Sequence, residues 1–390
     1  MVDKIKTELQ AAFADLSVVE ESYPERGYHL SVDATAKDIV NVARFFNQRG
    51  FYLAVELCVD YKEYLEIVAI FSIHSSLCKV KATLKIDPSK PVAPTLSAVY
   101  DCAHWYEREI HEFYGVLFDG HPNMAYLFLH DGIDVYPLRK EKVAVSREDR
   151  ELLNSFIPER CDDALFINMG PQHPSTHGVL RVVLKMDGEY IEEASPVLGY
   201  LHRMQEKMAE NRTYQQFLPN TGRMDYLGAM SFNLGYATAV ERLAGISVPE
   251  RADYVRMIAV ELNRIASHLL WVGAYLADLG GLSPFLYVFD DRENLLDVLE
   301  AVTGSRLTYC YFRFGGLYND VDDAFIAGTK AFVARMRGRF SLYEKLVGGN
   351  VIFINRTRGI GVIDREMARR YAVSGPVLRG AGIGMDLRTA

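Results

Sequence analysis

Between Ser247 and Gly281 the chain carries the longest run of helical periodicity in its sequence, and that run dictates what must surround it. Ser247-Val248-Pro249-Glu250 is a helix-start signal: Ser247 can cap, Glu250 can return the bond, and Pro249 tolerates its missing amide donor. The predicted helix runs about 28 residues to Asp278, and a helix of that length takes its stability from packing rather than propensity. Ile258, Leu262, Ile265, Leu269 and Val272 form its apolar side, while Glu261, Arg264 and His268 form a polar stripe toward a neighbour. It ends in Ala277-Asp278-Leu279-Gly280-Gly281, where a carboxylate faces the unfavourable end of the helix dipole. A His or Arg partner would remove that penalty, so Asp278 points to function more than to capping.

Helices are predicted on both sides. Gly199-Tyr200-Leu201-His202-Arg203 enters one that runs past Thr213 toward Leu218 and breaks at Pro219-Asn220-Thr221-Gly222. Arg203 sits near its start, where the dipole gives a cation no help; it either faces an anion or pairs with Glu206. Arg223-Met224-Asp225-Tyr226 opens the next, with Met230, Leu234, Ala237, Val240 and Leu243 as its buried stripe and Gly235 permitting close approach. Ser283-Pro284 starts another, carrying Phe285, Leu286, Phe289 and Leu295 toward Leu299 and interrupted at Gly304. A Gly315-Gly316 turn follows, then helices near 324–340 and 365–371, and a glycine-rich ending that lacks a phosphate-loop Lys-Ser/Thr.

Ahead of these helices lies Asn168-Met169-Gly170-Pro171-Gln172-His173-Pro174-Ser175-Thr176-His177-Gly178, two imidazoles and two hydroxyls punctuated by Gly and Pro. No regular period can pass through it, so it reads either as a reactive loop or as a polar surface turn. Val179 to Met186 is a predicted strand, Asp187-Gly188 a two-residue turn and Glu189 to Ala194 the returning strand. The loop therefore hangs from a rigid hairpin.

The first part of the chain reads differently. Tyr28–Val32, Tyr52–Val59, Leu65–Ile73 and Cys78–Ile86 are strand-like, and Ile39, Val42, Ala43 and Phe46 lie on one face of a helix that Asp33 would cap and Gly50 close. One helix laid on an antiparallel sheet, with another helix at the N-terminus, packs such a pattern. His104 to Tyr114 is a helix closed by Gly115, in which Trp105, Glu109, Glu112 and Phe113 crowd one side and Arg108 can pair with Glu112. It suits either a protein interface or a catalytic helix; His104, Glu107 and His111 lie one turn apart, but metal binding is disfavoured because no third ligand is apparent.

A net charge of -8 argues against nonspecific nucleic-acid binding. The 5 cysteines contain no CxxC pair, so a metal or iron–sulfur site built wholly by this chain is not expected. No apolar run approaches the roughly 20 residues that cross a bilayer.

Gly170 to Arg181, Leu201-His202-Arg203, Arg223-Met224-Asp225-Tyr226, Ser283-Pro284-Phe285 and Ser374 to Gly380 together resemble the 49 kDa (D) subunit of respiratory complex I. His104 to Ile110, Phe118-Asp119-Gly120-His121-Pro122 and Pro137-Leu138-Arg139-Lys140 resemble the 30 kDa (C) subunit. The chain thus looks like a bacterial C–D fusion. The resemblance implies an α+β fold: a small α/β sandwich-like domain over 1–145, a linker over 146–160, and a mostly helical domain over 161–390. That second domain would resemble the nickel–iron hydrogenase large subunit, open with a β-hairpin and stop short of the family's usual C-terminus. The resemblance further implies a quinone head group between His177 and Tyr226, with Asp278 as the acidic partner of the histidine. Arg203 is implied beside a terminal iron–sulfur cluster held by the adjacent subunit, and His173, Thr176 and Met230 join it as cofactor-binding candidates. No cofactor is expected on this chain alone. The implied partners are the iron–sulfur B and I subunits, the G subunit or its equivalent, and the H and A membrane subunits, with no nucleic acid. The implied location is peripheral, on the cytoplasmic face of the bacterial inner membrane. The residues of the His104 to Gly115 helix leave open a coenzyme-F420 dehydrogenase or an energy-converting hydrogenase relative, and a non-catalytic scaffold of such a complex is a separate alternative.

Overall fold

The computed structural model describes residues 1–129, 135–141 and 165–386; the linker expected over 146–160, and Cys161, lie outside them. Two compact units form, Met1–His202 with Val362–Ala390, and Arg203–Gly361.

The first unit opens with α1 (Val2–Ala12), β1 (Ser17–Glu20), α2 (Tyr23–Arg26), β2 (Leu30–Asp33), α3 (Ile39–Gln48), β3 (Tyr52–Asp60), β4 (Leu65–Ser72) and β5 (Lys79–Ile86). The five strands form one sheet in the order β1-β2-β5-β4-β3. The sheet is mixed rather than antiparallel as expected, because β2 pairs parallel with β5. The cause is α3: a helical connection from β2 carries the chain across the sheet so that β3 starts in the same direction, whereas the later strands are joined by tight turns. The apolar face of α3 is buried as its period predicts, with Phe46 stacked on Phe71 of β4 at 4.8 Å. Asp33 does not cap it; its carboxylate accepts from the Thr83 hydroxyl at 2.6 Å, and the helix begins only after Asp38. Short strands β6 (Val92–Pro94) and β7 (Leu117–Asp119) pair in parallel around α4 (Ala103–Tyr114). Gly115 ends α4 at φ 74, and a Cβ there would sit 2.5 Å from the Tyr136 ring, so only glycine fits.

A separate antiparallel sheet in the same unit comprises β8 (Leu165–Met169), β9 (Arg181–Asp187) and β10 (Tyr190–Val197), with β9 central. Asp187 pairs with Tyr190, so the turn is Gly188-Glu189, one residue later than expected. Gly188 at φ 59 supplies the positive φ that a two-residue hairpin turn demands.

The second unit is helical: α5 (Gln205–Glu210), α6 (Tyr214–Met224), α7 (Ala229–Ala244), α8 (Glu250–Asp278), α9 (Leu282–Thr303), α10 (Asp323–Tyr343) and α11 (Val351–Thr357), with a small hairpin of β11 (Phe312–Arg313) and β12 (Gly316–Leu317). The helix expected to enter at Gly199 and break at Pro219 is instead two helices. The break falls at Asn211 to Thr213, where Thr213 and Gln216 form a capping box, and α6 continues through Pro219. The carbonyl that loses a donor to Pro219 belongs to exposed Gln215, which water can serve. The hairpin turn is Phe314-Gly315 rather than Gly315-Gly316.

The 29 residues of α8 end at Asp278 as expected, though Pro249 rather than Ser247 holds the N-cap position. Its buried stripe is Val255, Ala259, Leu262, Ala266, Leu269, Gly273 and Leu276, so Leu262 and Leu269 are inside and Ile258 is exposed. Small residues along that stripe let α9 lie close: a Cβ on Gly273 would meet the Phe289 ring at 2.9 Å. Leu243 and Leu286, expected inside, are 75% and 60% exposed, and Gly235 faces open space. α12 (Arg365–Arg370) and α13 (Gly375–Gly380) return to the first unit, where Arg370 pairs with Asp101 and Ala372 packs on the core. Among the described residues no helix is long and apolar enough to cross a membrane.

Candidate functional site

The loop between β8 and β9 is built from its base upward. Arg181, 5% exposed, donates from Nε and Nη2 to the Asn168 side-chain oxygen at 2.9 and 2.6 Å, closing the loop across the two strands that bear it. Gly170, at φ 93, comes so close to the opposite strand that a Cβ would lie 2.0 Å from the Leu180 carbonyl oxygen. Pro174–Thr176 forms one tight helical turn. The Ser175 amide donates to His173 Nδ1 at 3.2 Å, and the Thr176 hydroxyl and amide donate to the His173 carbonyl at 3.0 and 3.1 Å. His173 therefore spends one ring nitrogen and its carbonyl on shaping the loop. His177 follows at φ 50, and His173 pairs with Gly178 across the tip. His173 and His177 are exposed and Thr176 is half-buried. A left-handed conformation costs a histidine about 1–2 kcal/mol, so the surrounding bonds determine where this imidazole stands.

Tyr226 and Asp278 belong to the second unit. Tyr226 is half-buried on the bend between α6 and α7, not inside a helix as expected. The second half of that bend is fixed by α8: the Asn263 side chain donates to the Leu227 carbonyl at 3.1 Å and accepts from the Met230 amide at 3.1 Å. Asp225 folds the bend internally, accepting from the Leu227 and Gly228 amides at 3.1 and 3.0 Å. On the other side a Cβ on Gly222 would lie 2.9 Å from the Tyr309 carbonyl oxygen. Met230 is 1% exposed, so it packs beneath the bend. Asp278, exposed, ends α8 fifteen residues beyond Asn263, about 22 Å along the axis at the α-helical rise, so this unit alone does not bring it against Tyr226.

Arg203 is exposed and precedes α5, whose N-cap position is held by Met204 at φ 48. The residue before it, His202, is stacked on Phe113 and Phe128 at 5.0 and 4.8 Å in the first unit. The Asn168–Arg181 clamp, the Asn263 staple and the His202 stack are not foretold by the sequence. Each joins residues far apart in the sequence through polar or aromatic side chains, for which an apolar period gives no signal.

Among the described residues no three His, Cys, Asp or Glu side chains gather as a metal-ligand set. Cys58, Cys78 and Cys102 are buried free thiols, with burial pushing Cys58 and Cys102 up to about 12.

Residues 32–148 match the family described as respiratory-chain NADH dehydrogenase, 30 Kd subunit, and residues 278–390 the family described as respiratory-chain NADH dehydrogenase, 49 Kd subunit. Two subunit types of one enzyme are thus joined in one polypeptide. The C/D 2 subunit of NADH-quinone oxidoreductase from Aquifex aeolicus is 34% identical over 422 residues, covering 99% of this chain and 71% of the relative. The D subunit of the same enzyme from Desulfotalea psychrophila is 59% identical over 227 residues, 58% of this chain and 61% of that one. The D subunit from Syntrophobacter fumaroxidans is 60% identical over 235 residues, 60% and 63% respectively. The chain therefore belongs to the fused C/D family of NADH-quinone oxidoreductase subunits. It spans 61% and 63% of the length of the two D-type relatives.

Proposed function

We propose that the chain serves as a peripheral-arm subunit of a quinone-reducing complex, with the β8–β9 loop and the α6–α7 bend contributing the quinone head-group site. The observation that carries this reading is His177, a non-glycine residue held at φ 50 on a loop clamped at its base. Backbone strain of that kind persists where the position of a side chain matters. Reducing a quinone to a quinol takes two electrons and two protons, and the dianion is costly in a low-dielectric pocket. The His177 imidazole donates a proton to one carbonyl oxygen and the Tyr226 phenol to the other, with Asp278 orienting the imidazole. An iron–sulfur cluster on the adjacent subunit would supply the electrons, and Arg203 would place positive charge beside it.

His173 and Thr176 shape the loop and Met230 underlies the bend, so in this reading they position the head group. Leu165, Phe166 and Ile167 of β8, with Tyr190 and Ile191 of β10, leave the small sheet with exposed apolar side chains, which supports a partner-facing surface. The B, I and G subunits and the H and A membrane subunits are the partners of this reading, and they would hold the chain peripherally at the cytoplasmic face of the inner membrane. The 1–145 and 161–390 parts then correspond to the C and D components. In the assembled complex, His177→Ala should lower quinone turnover on the order of 100-fold or more while cluster reduction, followed by freeze-quench spectroscopy, proceeds. Unchanged turnover would favour a scaffold.

A further inference from the structure

The first unit buries a cluster of ionisable groups that quinone chemistry does not use. Glu107 of α4 is 0% exposed and Glu56 of β3 4% exposed, and the His121 side chain beyond β7 is fully enclosed. The Glu107 carboxylate accepts from the Thr95 hydroxyl and the Leu96 amide. One Glu56 oxygen, Oε2, is buried with no hydrogen-bond partner. The Asn123 amide donates to His121 Nδ1 at 3.1 Å, which puts the neutral ring's proton on Nε2. That nitrogen has no hydrogen-bond partner and lies 3.8 Å from Glu107 Oε2. The other groups facing the cluster are His104, edge-on to His121 at 4.9 Å, Arg108 and Tyr106 from α4, Cys102 before it, and Ser97.

We propose that Glu56 and Glu107 form a buried acid–carboxylate pair that binds one proton at neutral pH, with the proton on Glu56 and the charge on Glu107. The donors decide the assignment: those on Glu107 favour its ionised form, whereas nothing solvates a charge on Glu56 Oε2. Burial pushes Glu107 up to about 7, partly opposed by Thr95 and the Leu96 and Ser97 amides. Burial, then the Glu107 charge, pushes Glu56 well above its ordinary range. Burial and the neighbouring His104 lower His121, so it stays neutral, against smaller raising effects of the His104 and Asn123 backbone. The folded chain thus holds this proton more tightly than the unfolded chain. The stability it confers is complete below the ordinary value of 4.5 and is lost only as pH rises through the raised range of Glu56. His121 acts oppositely, its contribution fading as pH falls below 6.5.

Infrared spectra of the full chain, taken in light and heavy water across pH, test the proposal. The expected result is a protonated-carboxyl band at neutral pH that fades as pH rises and is lost in Glu56→Gln. Thr95→Val, which removes one donor from Glu107 at nearly constant volume, should move the fading to higher pH; it carries the test if Glu56→Gln does not fold. Absence of the band at neutral pH, its survival in Glu56→Gln, or an unmoved midpoint in Thr95→Val overturns the proposal.

Discussion

His177 and Tyr226 are held by different devices, and the difference matters for what substitution does to each. His177 depends on its loop: Gly170 against Leu180, and Arg181 on Asn168. Tyr226 depends on groups that are not its own, since Asn263 and Asp225 bind the backbone just after it. Removing the phenolic hydroxyl therefore leaves the bend intact. Tyr226→Phe should change stability by under about 1 kcal/mol yet lower quinone turnover on the order of 100-fold, because only a proton donor is lost. Steady-state turnover of the reconstituted complex with a soluble quinone checks this, and wild-type turnover would remove Tyr226 from the chemistry. The loop's position was legible because Gly170, Pro171, Pro174 and Gly178 forbid any regular element there. Its clamp was not, since Asn168 and Arg181 lie on separate strands and meet only once the sheet pairs.

Among the elements, α8 shows how buried charge fixes one helix against another. Arg256, 2% exposed, donates to both oxygens of Glu241 on α7 at 3.1 and 2.6 Å and to the Arg313 and Gly316 carbonyls at 2.7 and 2.9 Å. Burial alone would raise Glu241, but the Arg256 bonds and the Gly315 amide hold it below the ordinary carboxylate value. Breaking such a pair strands a buried cation, so Glu241→Gln should cost about 3–5 kcal/mol. Asp320→Asn, which breaks the exposed pair with Arg251 at the start of the same helix, should leave stability almost unchanged. Chemical denaturation of both variants measures the contrast, and equal losses would show that burial does not set the strength of these pairs. The length of α8 was readable from its period and closing glycines, but its buried face lies about a fifth of a turn from the one its bulky residues suggest. Arg256 and Asn263 sit inside, and small Ala259, Ala266 and Gly273 replace the bulky residues by which a buried face is usually recognised.

Among the described residues two apolar cores form, and they share no residue. One gathers side chains from Ile5 to Phe118, with Ala372 packed against it; the other gathers those from Ala229 to Met336. Hydrophobic period foretold both, because each element turns a continuous apolar face inward. It could not foretell that residues near 365–372 return to the first core, since that return rests on a few scattered contacts, Arg369 on Asn47, Arg370 on Asp101 and Ala372 against the core. Nor could it give the parallel pairing of β2 with β5, which depends on the path of α3. Each core is large enough to support a domain by itself, so cavities cut in them should act separately. Phe46→Ala, at a fully buried position of the first core, should lower the melting of one calorimetric transition of the full chain by a loss of about 3–5 kcal/mol. Leu299→Ala, equally buried in the second, should lower the other by about 2–5 kcal/mol and leave the first in place. A single transition displaced by either substitution would mean that the two cores melt as one cooperative body despite having no side chain in common.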